Sequence, residues 1–211
     1  MKTAEELHED VPPGWYFQSL QEDYLQRIWH RKRFREVALL AEPVGGKVLD
    51  VGCADGVFTN IIFKKTKPER IVGVDVVKST IAWAKKHWRK NKKMEYRLGD
   101  VHDLPFKANT FDAVFALEVL EHIYNPQKAF GEIQRVLKKG GYAVFLVPSE
   151  SILFKIVWFL WRFYGRMVWK DTHIQSFDNS KLSKMVRKAG FTIEEDKKTH
   201  LGMLHIIKVR N

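Results

Sequence analysis

Cysteine is almost missing from this 211-residue chain. Cys53 stands alone, so no internal disulfide can form, and no Cys/His cluster has the spacing of zinc ligands. No metal site is expected. An apolar leader is missing too: residues 1–10 are acidic and polar, which reads as the absence of a secretory signal and points to the reducing cytoplasm. Repeats are not evident, and with 13% aromatic and 29% charged residues the chain is neither disordered, collagenous nor low in complexity. Acidic residues are outnumbered, 25 against 36 Lys and Arg, which leaves a formal charge of +11 and invites an anionic partner. That excess is local. Lys78, Lys85, Lys86, Arg89, Lys90, Lys92 and Lys93 follow one another with no acid between them, which reads as one basic helix face.

What is present suits one globular domain spanning 1–211: 45% of the residues are apolar, and a chain of this length buries roughly 70% of its unfolded surface without a staple. Residues 22–41 place Tyr24, Leu25, Ile28, Trp29, Phe34, Val37 and Leu40 at helical spacing, so 1–44 reads as an N-terminal helical cover ending in the breaker Pro43-Val44-Gly45-Gly46. Short apolar runs then alternate with helical patterns. Strands are expected at 48–51, 71–74, 94–98, 111–116 and 142–147, with helices at 60–65 and 79–90. Another helix opens at Asn125-Pro126 and ends in Lys138-Lys139-Gly140. A helix over 178–189 stops at Gly190, and strands at 191–195 and 203–209 form a hairpin around 196–200. Such alternation predicts an α/β fold, a doubly wound Rossmann-like seven-stranded sheet, mostly parallel with an antiparallel C-terminal edge strand pair.

In a sheet of this kind ligands bind beyond the carboxyl ends of the strands. The first strand runs into Val-Leu-Asp-Val-Gly-Cys-Ala-Asp-Gly at 48–56, where Gly52 and Gly56 permit a tight turn and the next helix offers free N–H groups. Alone, this is a weak signal, and a plain strand-to-helix turn is the alternative. Asp75 ends the second strand, where a carboxylate can accept both ribose hydroxyls of an adenosine, as it also does in dinucleotide sites. The glycines argue against a dinucleotide, whose fingerprint would place them at 52, 54 and 57; the chain has Gly52, Ala54 and Val57. Asp50, two residues before Gly52, would oppose a pyrophosphate and suits a cationic cofactor.

With these residues the chain resembles the class I S-adenosylmethionine-dependent methyltransferases, in the branch that acts on small molecules or lipids. The resemblance spans roughly 47–191. It rests on the 48–56 motif, Val-Gly-Val-Asp at 72–75, Gly-Asp-Val-His-Asp-Leu-Pro-Phe at 99–106, Phe-Asp-Ala-Val-Phe-Ala-Leu-Glu-Val-Leu-Glu-His at 111–122 and Leu-Lys-Lys-Gly-Gly at 137–141. Ala54 departs from it, since the family usually has glycine there. The resemblance implies S-adenosyl-L-methionine as cofactor. Gly52, Cys53 and Ala54 would line its methionine portion, with Gly56 completing the turn, and Asp50 would anchor the ammonium. Asp75 would hold the ribose, Val76 would pack on the adenine, and Asp100 with the Val101 backbone would meet the adenine amino group. Leu117 or Glu118 would flank the methionine end. Asp100 capping its own loop and Glu118 opening a solvated helix are the structural alternatives. No catalytic residue is identified; His122 and His173 are candidates for a base, because histidine titrates near neutrality.

Residues 152–169 are apolar apart from Lys155, Arg162, Arg166 and Gly165. Eighteen residues are marginal for a membrane span, and three cations, each costing about 2.5–3.5 kcal/mol at the bilayer centre, cancel the apolar gain. The insertion 151–170 is therefore a lid over an apolar acceptor pocket or a helix lying at a membrane surface with peripheral contact, dimer contact being the third reading. Both leading readings favour a small or hydrophobic, lipid- or quinone-like acceptor. Two other functions stay open: an RNA or DNA methyltransferase, suggested by the basic helix, and a non-catalytic cofactor-binding or membrane-associated protein. The first lacks support after the fourth strand, where Leu117-Glu118-Val119-Leu120 replaces the Asn/Asp-Pro-Pro-aromatic motif of base-amino methyltransferases.

Overall fold

The computed structural model describes residues 6, 11–149, 151, 153, 154, 156, 159, 174–177 and 180–211. Seven strands form one sheet: β1 (Lys47–Val51), β2 (Arg70–Asp75), β3 (Met94–Leu98), β4 (Phe111–Leu117), β5 (Leu137–Pro148), β6 (Thr192–Thr199) and β7 (Leu204–Arg210). Their order is β3-β2-β1-β4-β5-β7-β6, the first five parallel and β7 antiparallel to both β5 and β6. The sheet architecture expected from the alternating pattern is thus observed, antiparallel edge included.

Helices α1 (Trp15–Glu22), α2 (Tyr24–Leu40), α3 (Val57–Thr66), α4 (Lys78–His87), α5 (Pro126–Val136) and α6 (Lys181–Lys188) flank it, with a 3-10 turn at Leu120–His122. The period-2 geometry of strands sends alternate side chains to opposite faces. Val48, Ile71, Phe115 and Val144 pack with Val37 and Leu40 of α2, Ile62 of α3 and Ile81 of α4. Leu49, Val72, Val114 and Phe145 pack on the other face with Phe130 and Ile133 of α5 and Val186 of α6. Both faces are covered, which is why these strands read as continuous apolar runs rather than as alternating ones.

Several boundaries differ from the sequence reading, each for a local reason. Between Trp15 and Leu40 the cover is broken into two helices, because Asp23 ends α1 and caps α2, its side chain accepting from Gln26 N at 3.0 Å. Asn125 and Pro126 open α5 as expected, the Asn125 side chain accepting from Lys128 N. That helix stops at Val136, however, and Lys138, Lys139 and Gly140 belong to β5. Leu137 already pairs with Phe111 of β4, and Gly140 N donates to Asn211 O at 2.8 Å. The C-terminal hairpin turns at 200–203 rather than 196–200: His200, Leu201 and Gly202 all have positive φ, and Asp196–Thr199 extend β6. Helix α6 is described from Lys181 and is followed by Gly190 in the left-handed conformation (φ 92°). Most of 151–170, and with it the choice between lid and surface helix, lies outside the described residues.

Candidate active site

The winding reverses between β1 and β4, and a cavity opens there at the carboxyl ends of the strands. Its open space, mouth included, is about 1030 Å³. The floor is the loop after β1. Gly52 N and Cys53 N both donate to Val74 O, at 2.7 and 3.1 Å, which folds the loop over the end of β2. Gly52 has a φ of 68°, and a Cβ there would sit 2.2 Å from Val119 Cγ2, so only glycine keeps the floor open. Ala54 also has positive φ (44°), so the chain holds a left-handed turn here without glycine.

Asp75 sits where this loop meets the one after β2. One of its carboxylate oxygens accepts from Ala54 N and the other from Val77 N, both at 2.9 Å. Two backbone donors on two different loops orient the group at the cavity wall. Cys53 lies beside it; burial, with the neighbouring Asp75 and Asp50 carboxylates, pushes its thiol well above the usual range, so it lines the floor as a neutral group.

Of the sequence-derived candidates, Gly52, Cys53, Ala54, Asp75, Val76, Asp100, Val101, Leu117, Glu118 and His122 line the cavity. Asp50 and Gly56 do not. Asp50 is buried beneath the floor, accepting from Thr59 Oγ1 at 2.6 Å. Gly56 turns the chain into α3, where a Cβ would meet Tyr96 Oη at 2.4 Å. Asp100 borders the cavity, but its Oδ1 accepts from His102 N (2.8 Å) and faces His102 Nδ1 (2.7 Å), so the carboxylate caps its own loop. His122 is one wall residue, its Nε2 3.9 Å from Glu121 Oε1. His173 lies outside the described residues. Among the described residues no group of His, Cys, Asp or Glu is placed to hold a metal.

Sequence reading missed the roof. Val11, Pro12, Trp15 and Tyr16 of the N-terminal cover also line the cavity. They are held by Asp55, whose Oδ2 accepts from Phe17 N at 2.8 Å, and by an ion pair between Arg33 of α2 and Glu118 at the end of β4. The other terminal nitrogen of Arg33 contacts His30 Nδ1; burial, with the Arg33 cation adding to it, pushes His30 down to about 2, so the ring stays neutral. Glu118, in the left-handed region at φ 57°, is therefore a partly buried anchor paired with Arg33 and not a solvated helix start. The Trp15-Tyr16-Phe17 run after Pro12-Pro13-Gly14 was the available signal, but the bond that holds it, from Phe17 N to Asp55, spans 38 residues.

Burial pushes Asp50 up to about 7, against the lowering effect of its bond from Thr59. An unfolded aspartate titrates near 4, so between about pH 4 and 7 the folded chain holds a proton that the unfolded chain has lost, and raising the pH through that window weakens the fold. Asp50→Asn keeps an acceptor for Thr59 and removes the ionisation. The wild-type melting temperature should therefore fall relative to that of the variant between about pH 5 and pH 8. A difference that stays constant with pH contradicts the assignment.

Residues 49–145 match the family of methyltransferase domains. The chain is 37% identical over 105 residues to an uncharacterised methyltransferase of Schizosaccharomyces pombe, covering 46% of this chain and 37% of that protein. It is 27% identical over 186 residues to a ubiquinone/menaquinone biosynthesis C-methyltransferase of Desulfotalea psychrophila, covering 81% and 75%. It spans only about a third of the length of two curated relatives it matches, 34% of one and 37% of the other. In fold it resembles a chain of the Haloferax volcanii complex containing the Trm112 methyltransferase activator, with a TM-score of 0.79 at 16% identity over 99% of both chains. The matched region runs from β1 into β5 and supplies the cavity floor, Asp75 and the wall formed by β4. Residues 49–145 thus carry a match to a methyltransferase domain, on a fold shared with solved methyltransferase structures.

Proposed function

We propose that the protein transfers the methyl group of S-adenosylmethionine to a small or hydrophobic, lipid- or quinone-like acceptor. One observation carries this reading: an apolar cavity roofed by Trp15 and Tyr16 abuts a carboxylate, Asp75, oriented at the end of β2. The residues present fit the cofactor. Gly52 leaves the floor clear of any Cβ, Asp75 supplies an acceptor of the kind that holds ribose hydroxyls, and Val76 and Val101 give apolar surface for a base.

Bound there, the sulfonium supplies an electrophilic methyl group. What remains for the chain is placement. Holding a nucleophile in line with a reactive carbon is worth roughly 7–11 kcal/mol of a barrier, and Leu117, Val119 and Ile123 offer an apolar wall for that purpose. His122 stands on the same wall as the residue to take a proton, a task needed only when the acceptor carries one at the attacked atom. The relative from Desulfotalea psychrophila, by its name, acts in quinone biosynthesis, which supports an apolar acceptor here.

The test is incubation of the protein with methyl-labelled S-adenosylmethionine and fractionated cell extract. Label should partition with organic-soluble material. Label in nucleic acid would overturn the acceptor class in favour of an RNA or DNA methyltransferase. Binding of the cofactor with no label transferred to any fraction would favour a non-catalytic role.

A further inference from the structure

Helix α2 buries His30, Arg33, Val37 and Leu40 and turns its opposite face to solvent. That outer face is not polar in the usual way. Tyr24 and Leu25 are 71% and 62% exposed, Ile28 is exposed one turn on, and Leu39 is exposed near the end of the helix. Beside α2 lies the β6–β7 turn, where the His200 ring meets Trp29 edge-on at 4.7 Å and the next residue, Leu201, is 86% exposed. The chain leaves β5 at this same turn, Ser149 N donating to Met203 O at 2.9 Å, and Leu153 and Ile156 soon after are exposed as well.

Cations share the arc. At about 100° per residue, Arg31, Lys32 and Arg35 fall on the same side of α2 as Tyr24, Ile28 and Leu39. All three are exposed, and none forms an ion pair among the described residues. No acid occurs from Tyr24 to Arg35; Asp23 caps the helix, and Glu36 is paired with Lys197 at 3.0 Å. Large apolar side chains exposed together mark an interaction site. Aliphatic and aromatic side chains set among arginines and lysines match an interface where tips enter the acyl boundary and charges meet phosphate headgroups. Nucleic acid would satisfy the cations and leave Leu25, Ile28 and Leu201 in water.

We propose that the outer face of α2, continued by the β6–β7 turn, docks the protein on an anionic lipid bilayer. This surface lies apart from the cavity, and the proposal stands independently of methyl transfer. The test is co-sedimentation of the full chain with vesicles of phosphatidylcholine alone and of phosphatidylcholine mixed with phosphatidylglycerol. Binding should occur to the anionic vesicles and weaken with salt. Leu25→Ser/Ile28→Ser and Arg31→Glu/Arg35→Glu should each lower the partition coefficient about tenfold or more. Leu201→Ser, at an exposed turn position where folding is least at stake, should lower it in the same direction. Failure of the wild type to bind anionic vesicles at low salt overturns the proposal, as does undiminished binding by folded variants. Two other outcomes also overturn it. Duplex oligonucleotide binding that needs Arg31 and Arg35, without vesicle binding, makes the face a nucleic-acid surface. A dimer that dissociates in the Leu25→Ser/Ile28→Ser variant makes it a self-contact.

Discussion

Asp75→Ala should weaken S-adenosylmethionine binding by about 10- to 100-fold, since hydrogen bonds to a charged group are worth roughly 1.5–3 kcal/mol. The loss has two sources. The carboxylate that would accept from the ribose disappears, and Ala54 N and Val77 N lose the acceptor that ties their loops together. Asp75→Asn separates them. It retains one oxygen for a loop donor but presents an N–H₂ to the other, so it should fall between the wild type and alanine. Isothermal titration calorimetry of the three proteins reads the effect directly; equal affinities would remove Asp75 from the site.

The second large effect concerns the roof. The Arg33 and Glu118 side chains are only 5% and 14% exposed, and removing one partner of a buried pair leaves an uncompensated charge, at a cost of about 3–5 kcal/mol. Arg33→Met should therefore destabilise the protein by that amount in urea unfolding and loosen the cover that carries Trp15 and Tyr16. Adding Glu118→Gln should recover much of the lost stability, because the orphaned carboxylate is then gone. If Arg33→Met costs only about 1 kcal/mol or less, the pair behaves as a solvated surface pair and does not anchor the roof.

The parts of this structure legible in sequence are those written in local patterns. Buried parallel strands announce themselves as apolar runs, and the reversal after β1 is marked by Gly52 and Gly56 followed by a helical pattern. Those runs sufficed for the sheet and for the wall that holds Asp75, Val76 and Leu117. Elements shaped by distant partners were not legible. The strand β6, Thr-Ile-Glu-Glu-Asp-Lys-Lys-Thr, has polar residues on both faces, and only its ladder with β7 extends it to Thr199. The end of α5 is set by the pairing of Leu137 with Phe111 and not by the downstream glycine. Side-chain direction is the third gap. Asp50 stands near the cavity, yet Thr59 draws its carboxylate beneath the floor, while Asp100 lines the cavity with one oxygen engaged by His102 of its own loop. The roof depends on Phe17 meeting Asp55 and Arg33 meeting Glu118, pairings that no local spacing encodes.

The central claim is that this cavity binds an adenosyl sulfonium between Asp75 and the β1 loop, and a crystal structure of the protein grown with S-adenosylhomocysteine tests it most directly. The ribose hydroxyls should lie within hydrogen-bond distance of Asp75, with the amino-acid end over Gly52 and the sulfur facing the wall of Leu117 and Val119. A product bound elsewhere, or a cavity that closes on its own side chains and excludes the product, would contradict it.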